Sequence, residues 1–155
     1  MYEVKRLHIN YKTLEEFKTF REYGLEELSM KDDLQANIIE NDSESPFYGI
    51  YHEDRLVARM SLYKIDAKYD RYFKPSQEYY ELWKLEVLPD YRGKDYGTAL
   101  VNHAKSFGLP IKTNSRCRAE DFWKKMSFFP VRYNPVRDRG ENPYVWLPTT
   151  VGLQD

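Results

Sequence analysis

The stretch Val87-Leu88-Pro89-Asp90-Tyr91-Arg92-Gly93-Lys94-Asp95-Tyr96-Gly97-Thr98-Ala99-Leu100 passes from a run of large strand-forming residues into a helical pattern. It sets flexible glycines and two cations, Arg92 and Lys94, where the backbone N–H groups of a new helix open, and such a turn suits an anion. An ordinary surface turn with two solvated cations fits the same residues, and Gly93-x-x-x-Gly97 alone does not choose between them.

Working outward, Tyr79 to Val87 is rich in large residues and predicts a strand that Pro89 ends. From Gly97, Leu100, Ala104 and Phe107 recur at helical spacing, with Gly108 and Pro110 as a stop. Upstream, Phe47 to Tyr51 and Leu56 to Ile65 predict a hairpin through His52-Glu53-Asp54-Arg55. Its second strand sets Leu56, Ala58, Met60 and Leu62 against Val57, Arg59, Ser61 and Tyr63. Asp66 to Ser76 reads as a loop. Nearer the N-terminus, a strand over 3 to 10 precedes a helix that Thr13 and Glu16 would open as a capping box. That helix would bury Leu14, Phe17 and Phe20 and stop at Gly24, and Ser29 would cap a second one carrying Leu34 and Ile38. Downstream come a strand over Ile111 to Asn114, a helix over Ala119 to Met126, and strands over Phe128 to Arg132 and Tyr144 to Leu147 around an irregular loop. The order β-α-α-β-β-β-α-β-α-β-β is a mixed α/β layout with no internal repeat.

The 155 residues suffice for one domain, 1–155, with one core. Hydrophobic residues at 41% and charged residues at 32% exclude the disordered and collagenous classes. With 24 basic against 25 acidic side chains, no overall cationic field draws the chain to nucleic acid or a membrane, and neither is expected as a partner. Cys117, the only cysteine, excludes an internal disulfide framework. No apolar run approaches the roughly 20 residues of a membrane helix, and MYEVKRLHINY lacks the apolar stretch of a signal peptide, so the expected compartment is the cytoplasm. His8, His52 and His103 show no ligand spacing, and no metal is expected.

The turn resembles motif A of the Gcn5-related N-acetyltransferase (GNAT) superfamily, Arg/Gln-x-x-Gly-x-Gly/Ala, with Arg92 first and Gly97 last. Asn114 and the phrase Ala119-Glu120-Asp121-Phe122-Trp123-Lys124-Lys125-Met126-Ser127-Phe128 resemble that family's motif B. Asn41 to Tyr51 and Glu81 to Val87 are similar to the YlbP-type bacterial branch. The resemblance spans nearly the whole chain. It implies the GNAT fold, a mixed, mostly antiparallel central sheet flanked by helices, and acetyl-CoA as acetyl donor. The cofactor's pyrophosphate would lie on the amides of Gly93, Lys94, Asp95, Tyr96, Gly97 and Thr98, its pantetheine along the strand ending at Val87, with Arg92 and Lys94 neutralising phosphate charge and Asn114 and Trp123 as further cofactor contacts. Two residues depart from the pattern. Asp95 replaces the inner glycine, adding a carboxylate and a Cβ where positive φ is expected, and aspartate tolerates that conformation better than most. Trp123 replaces the tyrosine thought to protonate the leaving thiolate, and an indole cannot do so.

The implied reaction is transfer of an acetyl group to a primary amine by direct attack in a ternary complex, the acceptor being a small molecule or a peptide. The amine must lose a proton first, and Glu81 is the first choice as base, with Glu86 nearer the cofactor but on the opposite face of a regular strand. Either carboxylate could equally serve an ion pair. The backbone N–H of Leu85 or Val87 would donate to the oxyanion. The alternative is a catalytically silent acyl-CoA-binding or regulatory module, and oligomeric state is left open, a homodimer included. Residues 13 to 46 are strongly acidic and 111 to 140 basic, which suits a cationic amine meeting an anionic coenzyme and also suits solvated helix faces.

Overall fold

The structure is a computed structural model that describes residues 2–20, 30–40, 44–116 and 119–154, with the backbone alone for 37–40. Its elements are β1 (Lys5–Arg6), α1 (Tyr11–Lys18), α2 (Lys31–Glu40), β2 (Phe47–His52), β3 (Arg55–Ile65), β4 (Phe73–Lys74), β5 (Tyr79–Val87), α3 (Tyr96–Lys105), β6 (Ile111–Asn114), α4 (Glu120–Lys125), β7 (Phe129–Pro130), α5 (Pro135–Asp138), β8 (Pro143–Trp146) and β9 (Gly152–Leu153). The chain divides into two compact units, Met1–Leu62 with Lys84–His103, and Tyr63–Trp83 with Ala104–Asp155. Strands β3 and β5 and helix α3 each run from one unit into the other.

In the first unit β1, β2 and β3 are antiparallel neighbours, Lys5 opposite Gly49 and Phe47 opposite Ser61. The predicted hairpin is there, turning at Glu53 with φ +56. The predicted alternation along β3 is not. Every residue from Leu56 to Leu62 is buried, Arg59 and Ser61 included, because both faces of the strand are covered. Helix α1 begins at Asn10, whose side chain accepts from the Thr13 N–H at 2.9 Å, so the capping box expected at Thr13 is displaced by an asparagine three residues earlier. Thr13 instead joins the buried face with Leu14 and Phe17. Phe17 meets Phe47 edge-on at 5.5 Å, and Phe20, just past the helix, is fully buried. Gly24, Ser29 and Cys117 lie outside the described residues, as does the side chain of Ile38.

Gly49 is where β2 tolerates no side chain. A Cβ there would stand 2.6 Å from Leu56 Cδ1 and 3.0 Å from the Ala58 carbonyl oxygen, and the latter is backbone that cannot rotate away. Gly49→Ala is expected to destabilise the protein by about 1–3 kcal/mol, the range for overpacking a closed site. A urea unfolding curve with a lowered midpoint and unchanged slope checks it.

In the second unit the strand order is β5-β6-β8-β7. Tyr80, Glu81 and Leu82 pair in parallel with Ile111, Lys112 and Thr113, and the remaining pairs are antiparallel. A separate two-stranded sheet joins β4 to β9 through Phe73 and Leu153. The segment 66 to 76, read as a loop, therefore contains a 3-10 turn (Ala67–Tyr69) and a strand, and the irregular loop before β8 contains α5. Tyr72, Phe73, Tyr79 and Val145 form the buried cluster of this unit, with Ile65 packed against it. Asp138, fully buried, takes the Tyr72 hydroxyl at 2.7 Å and Arg137 Nε at 2.8 Å. Burial alone would raise its carboxyl, but Arg137, the Asn134 N–H and Tyr72 bring it down to about 2.

Candidate active site

Strand β5 ends at Val87, and the Leu88 N–H donates to the Val57 carbonyl at 2.9 Å. A single 3-10 turn (Pro89–Tyr91) follows, then an extended Arg92, whose Nε folds back onto the Val87 carbonyl at 3.0 Å. Gly93 (φ +75) and Asp95 (φ +68) are left-handed and Lys94 between them is not. A backbone that alternates hand in this way turns successive N–H groups toward one concavity. The first turn of α3 adds N–H groups that have no intrahelical partner. A Cβ at Gly93 would meet nothing within 4 Å, so the turn is open on that side. The residues thus fit a phosphate group by backbone geometry and by nearby cations.

Aromatic residues hold this turn from behind. Tyr96 is buried and stacks on Tyr2 at 4.0 Å, and the Tyr2 hydroxyl donates to the Lys94 carbonyl at 2.7 Å. Burial, with Tyr2 and Tyr91 close by, raises the Tyr96 phenol above its ordinary value, so it stays protonated. Tyr91 lies edge-on to Tyr96 and beneath two cations, Lys94 Nζ at 5.6 Å and Arg55 Cζ at 5.9 Å from its ring centre. Neither Tyr2 nor Arg55 was legible as a site residue in the sequence. Both reach the turn from far along the chain, and only the fold brings them there.

The two candidate carboxylates sit in opposite circumstances. Glu86 is sealed, its side chain 1% exposed, and Arg59 Nη2 reaches its Oε1 at 2.8 Å. The guanidinium lies against Phe17 and Phe20, 4.8 and 4.3 Å from the ring centres. Glu81 has a side chain 19% exposed and receives Lys112 Nζ at 3.3 Å, its register partner on β6. Lys112 also lies 3.6 Å from Glu141 and 5.0 Å from the centre of the Tyr72 ring. Both carboxylates therefore have the ion pair that a structural role would give them, but only Glu81 is reachable from solvent.

Asn114, at the end of β6, donates to Glu141 Oε2, and among the described residues its buried Oδ1 has no partner. Trp123 is 5% exposed and packs with Phe122 and Phe128, centroids 5.0 and 5.1 Å away. Its ring is part of the α4 packing. Leu85 and Val87 belong to the length of β5 beyond the last residue paired with β6.

A mixed, mostly antiparallel sheet flanked by helices, with an open turn of left-handed residues between β5 and α3, is the frame of an acyl-CoA-dependent transferase. The chain belongs to the acetyltransferase (GNAT) family, whose model matches residues 10–128. It is 82% identical over 155 residues to an uncharacterized N-acetyltransferase of Brevibacillus brevis, covering all of both chains. It is 62% identical over 148 residues to the uncharacterized N-acetyltransferase YlbP of Bacillus subtilis, covering 96% of this chain and 92% of that one. The crystal structure of the Bacillus subtilis YlbP protein in complex with coenzyme A superposes with a TM-score of 0.80 at 58% identity, covering 100% of each chain. Among the described residues no helix is long and apolar enough to cross a membrane.

Proposed function

We propose that the chain is an acetyl-CoA-dependent N-acetyltransferase that passes an acetyl group directly to a primary amine, with residues 1–155 acting as one cytoplasmic acetyltransferase domain. The observation that carries this reading is the turn at residues 92 to 98, with its left-handed Gly93 and Asp95 and its open side. The coenzyme A held by a 58% identical relative supports it, and the family match takes in parts of both units. The amides of residues 93 to 98 receive the pyrophosphate, Arg92, Lys94 and Arg55 offset its charge, and pantetheine runs along the end of β5 at Val87. Asn114 keeps the cofactor contact that the family pattern implies, while Trp123 supports α4. Bound acetyl-CoA supplies an activated acyl group. The N–H of Leu85 or Val87 donates to the thioester oxygen as it gains charge. Glu81, the reachable carboxylate, takes the proton from the attacking amine.

Titration of the chain with coenzyme A by calorimetry tests the turn. Binding in the micromolar range is expected, and no binding at millimolar cofactor overturns the reading. Asp95→Gly sharpens the test. It removes a carboxylate beside the pyrophosphate and a Cβ from a left-handed residue, so affinity should rise a few-fold at low salt and less at high salt, on the order of 0.5 to 1 kcal/mol. Weaker binding at both salt levels would show that the carboxylate shapes the turn.

A further inference from the structure

Trp83 is an anomaly on β5. It stands on the central strand, where a tryptophan would ordinarily be covered, yet it is 48% exposed. Its ring lies against Tyr63 of β3, centroids 4.4 Å apart and planes at 42°. Tyr63 lies two residues before Ile65, which packs against the cluster containing Tyr79, so Tyr79, Glu81 and Trp83 occupy one side of β5 at alternate positions. The ring pair is therefore next to the Glu81 carboxylate on the same sheet face. Lys112 lies between two carboxylates there, Glu81 at 3.3 Å and Glu141 at 3.6 Å, and this group of three carries net negative charge.

An aromatic shelf, half-buried at Tyr63, exposed at Trp83 and bordered by a carboxylate, has a definite complement. The π faces attract a cation and cover an apolar body, and the carboxylate fixes the ammonium end. We infer that Tyr63 and Trp83 form the platform for the acceptor, and that the acceptor is an amine carried on an aromatic or extended apolar skeleton. This inference rests on the acetyltransferase reading, with Glu81 taking the proton. It adds the substrate class, with Trp83 as the specificity-determining residue. A hydrophilic amine such as ethanolamine has nothing to lay on the shelf and is a poor acceptor here.

The test uses 2-phenylethylamine as probe, with 2-phenylethanol and ethanolamine as controls lacking the charge and the ring. Binding is followed calorimetrically on the full chain, and acetyl transfer is followed by thiol release from acetyl-CoA. The wild type is expected to bind 2-phenylethylamine at least tenfold more tightly than either control. Trp83→Leu keeps apolar bulk but removes the π face, and should weaken the probe about tenfold while coenzyme A affinity stays unchanged. Tyr69→Ala, which removes another exposed aromatic of the same unit, should change neither. Should 2-phenylethylamine bind no better than ethanolamine while other amines are acetylated, the platform is overturned and the enzyme reading stands. Should the probe bind through Trp83 but never be acetylated by a chain that acetylates other amines, the shelf is not the acceptor's platform and the inference is overturned. Concentration-dependent sedimentation that Trp83→Leu abolishes would mean a second copy covers the shelf, which also overturns it.

Discussion

Replacing Arg59 by methionine is expected to destabilise the protein by about 3–5 kcal/mol, the range for stranding one partner of a buried ion pair. Arg59 has no exposure, and Glu86 beside it is 2% exposed. With the guanidinium gone, the Glu86 carboxylate would either stay charged in a low-dielectric site or take up a proton, and both are costly. The aliphatic replacement still fills the space between Phe17 and Phe20, so little of the loss comes from a cavity. Arg59 Nη1 also reaches the Phe17 carbonyl at 3.4 Å, which ties the end of α1 to β3. At roughly 2–4 °C per kcal/mol for a chain near this size, the melting temperature should fall by about 6–20 °C. The double variant Arg59→Met, Glu86→Leu removes both charges and should recover most of that loss, because a buried pair is often no better than an apolar one of similar volume. A double variant as unstable as the single one would show that the guanidinium's contacts with Phe17 and Phe20, and not its charge pairing, hold the site.

That pair also shows where sequence reasoning stops. The bounds of β5 and β6 were legible because large residues between proline and glycine signals define a strand locally. Strands β4 and β9 were not, since two residues apiece have no periodicity and each exists only by pairing with the other end of the chain, Phe73 with Leu153. The turn at residues 92 to 98 was legible as glycines and cations between a strand and a helix. The positive φ expected at Asp95 is there, at +68. Arg59 was set on the polar side of an alternating strand, because an arginine reads as solvent-facing until its carboxylate partner, 27 residues away, is known. Lys112 and Glu141 were silent for the same reason. Their meaning lies in the register that sets Lys112 beside Glu81. Trp83 is a large apolar residue in a strand-forming run, and its 48% exposure is a property of the folded sheet that no local pattern records.

Glu81→Gln is expected to lower turnover by a factor on the order of 10² to 10⁴ while leaving coenzyme A affinity nearly unchanged, the usual range for losing a positioned base. A primary alkyl amine is almost wholly protonated at neutral pH, with a pKa near 10.4, and an ammonium has no lone pair with which to attack. A carboxylate that removes that proton, directly or through a water, is therefore most needed at neutral pH and least needed as the solvent approaches the amine's own pKa. The glutamine variant should regain rate steadily as pH rises, so the gap to the wild type narrows in alkaline buffer. The amide keeps an oxygen that can accept from Lys112, so the pair with β6 is weakened but the strand register is kept. Lys112→Met supplies the contrast. It leaves the Glu81 carboxylate in place, so it should reduce stability and disturb Glu81's position without producing the alkaline recovery that marks loss of a base. If Glu81→Gln turns over like the wild type with the same pH profile, the carboxylate serves only as the partner of Lys112. The proton must then leave through water or another group.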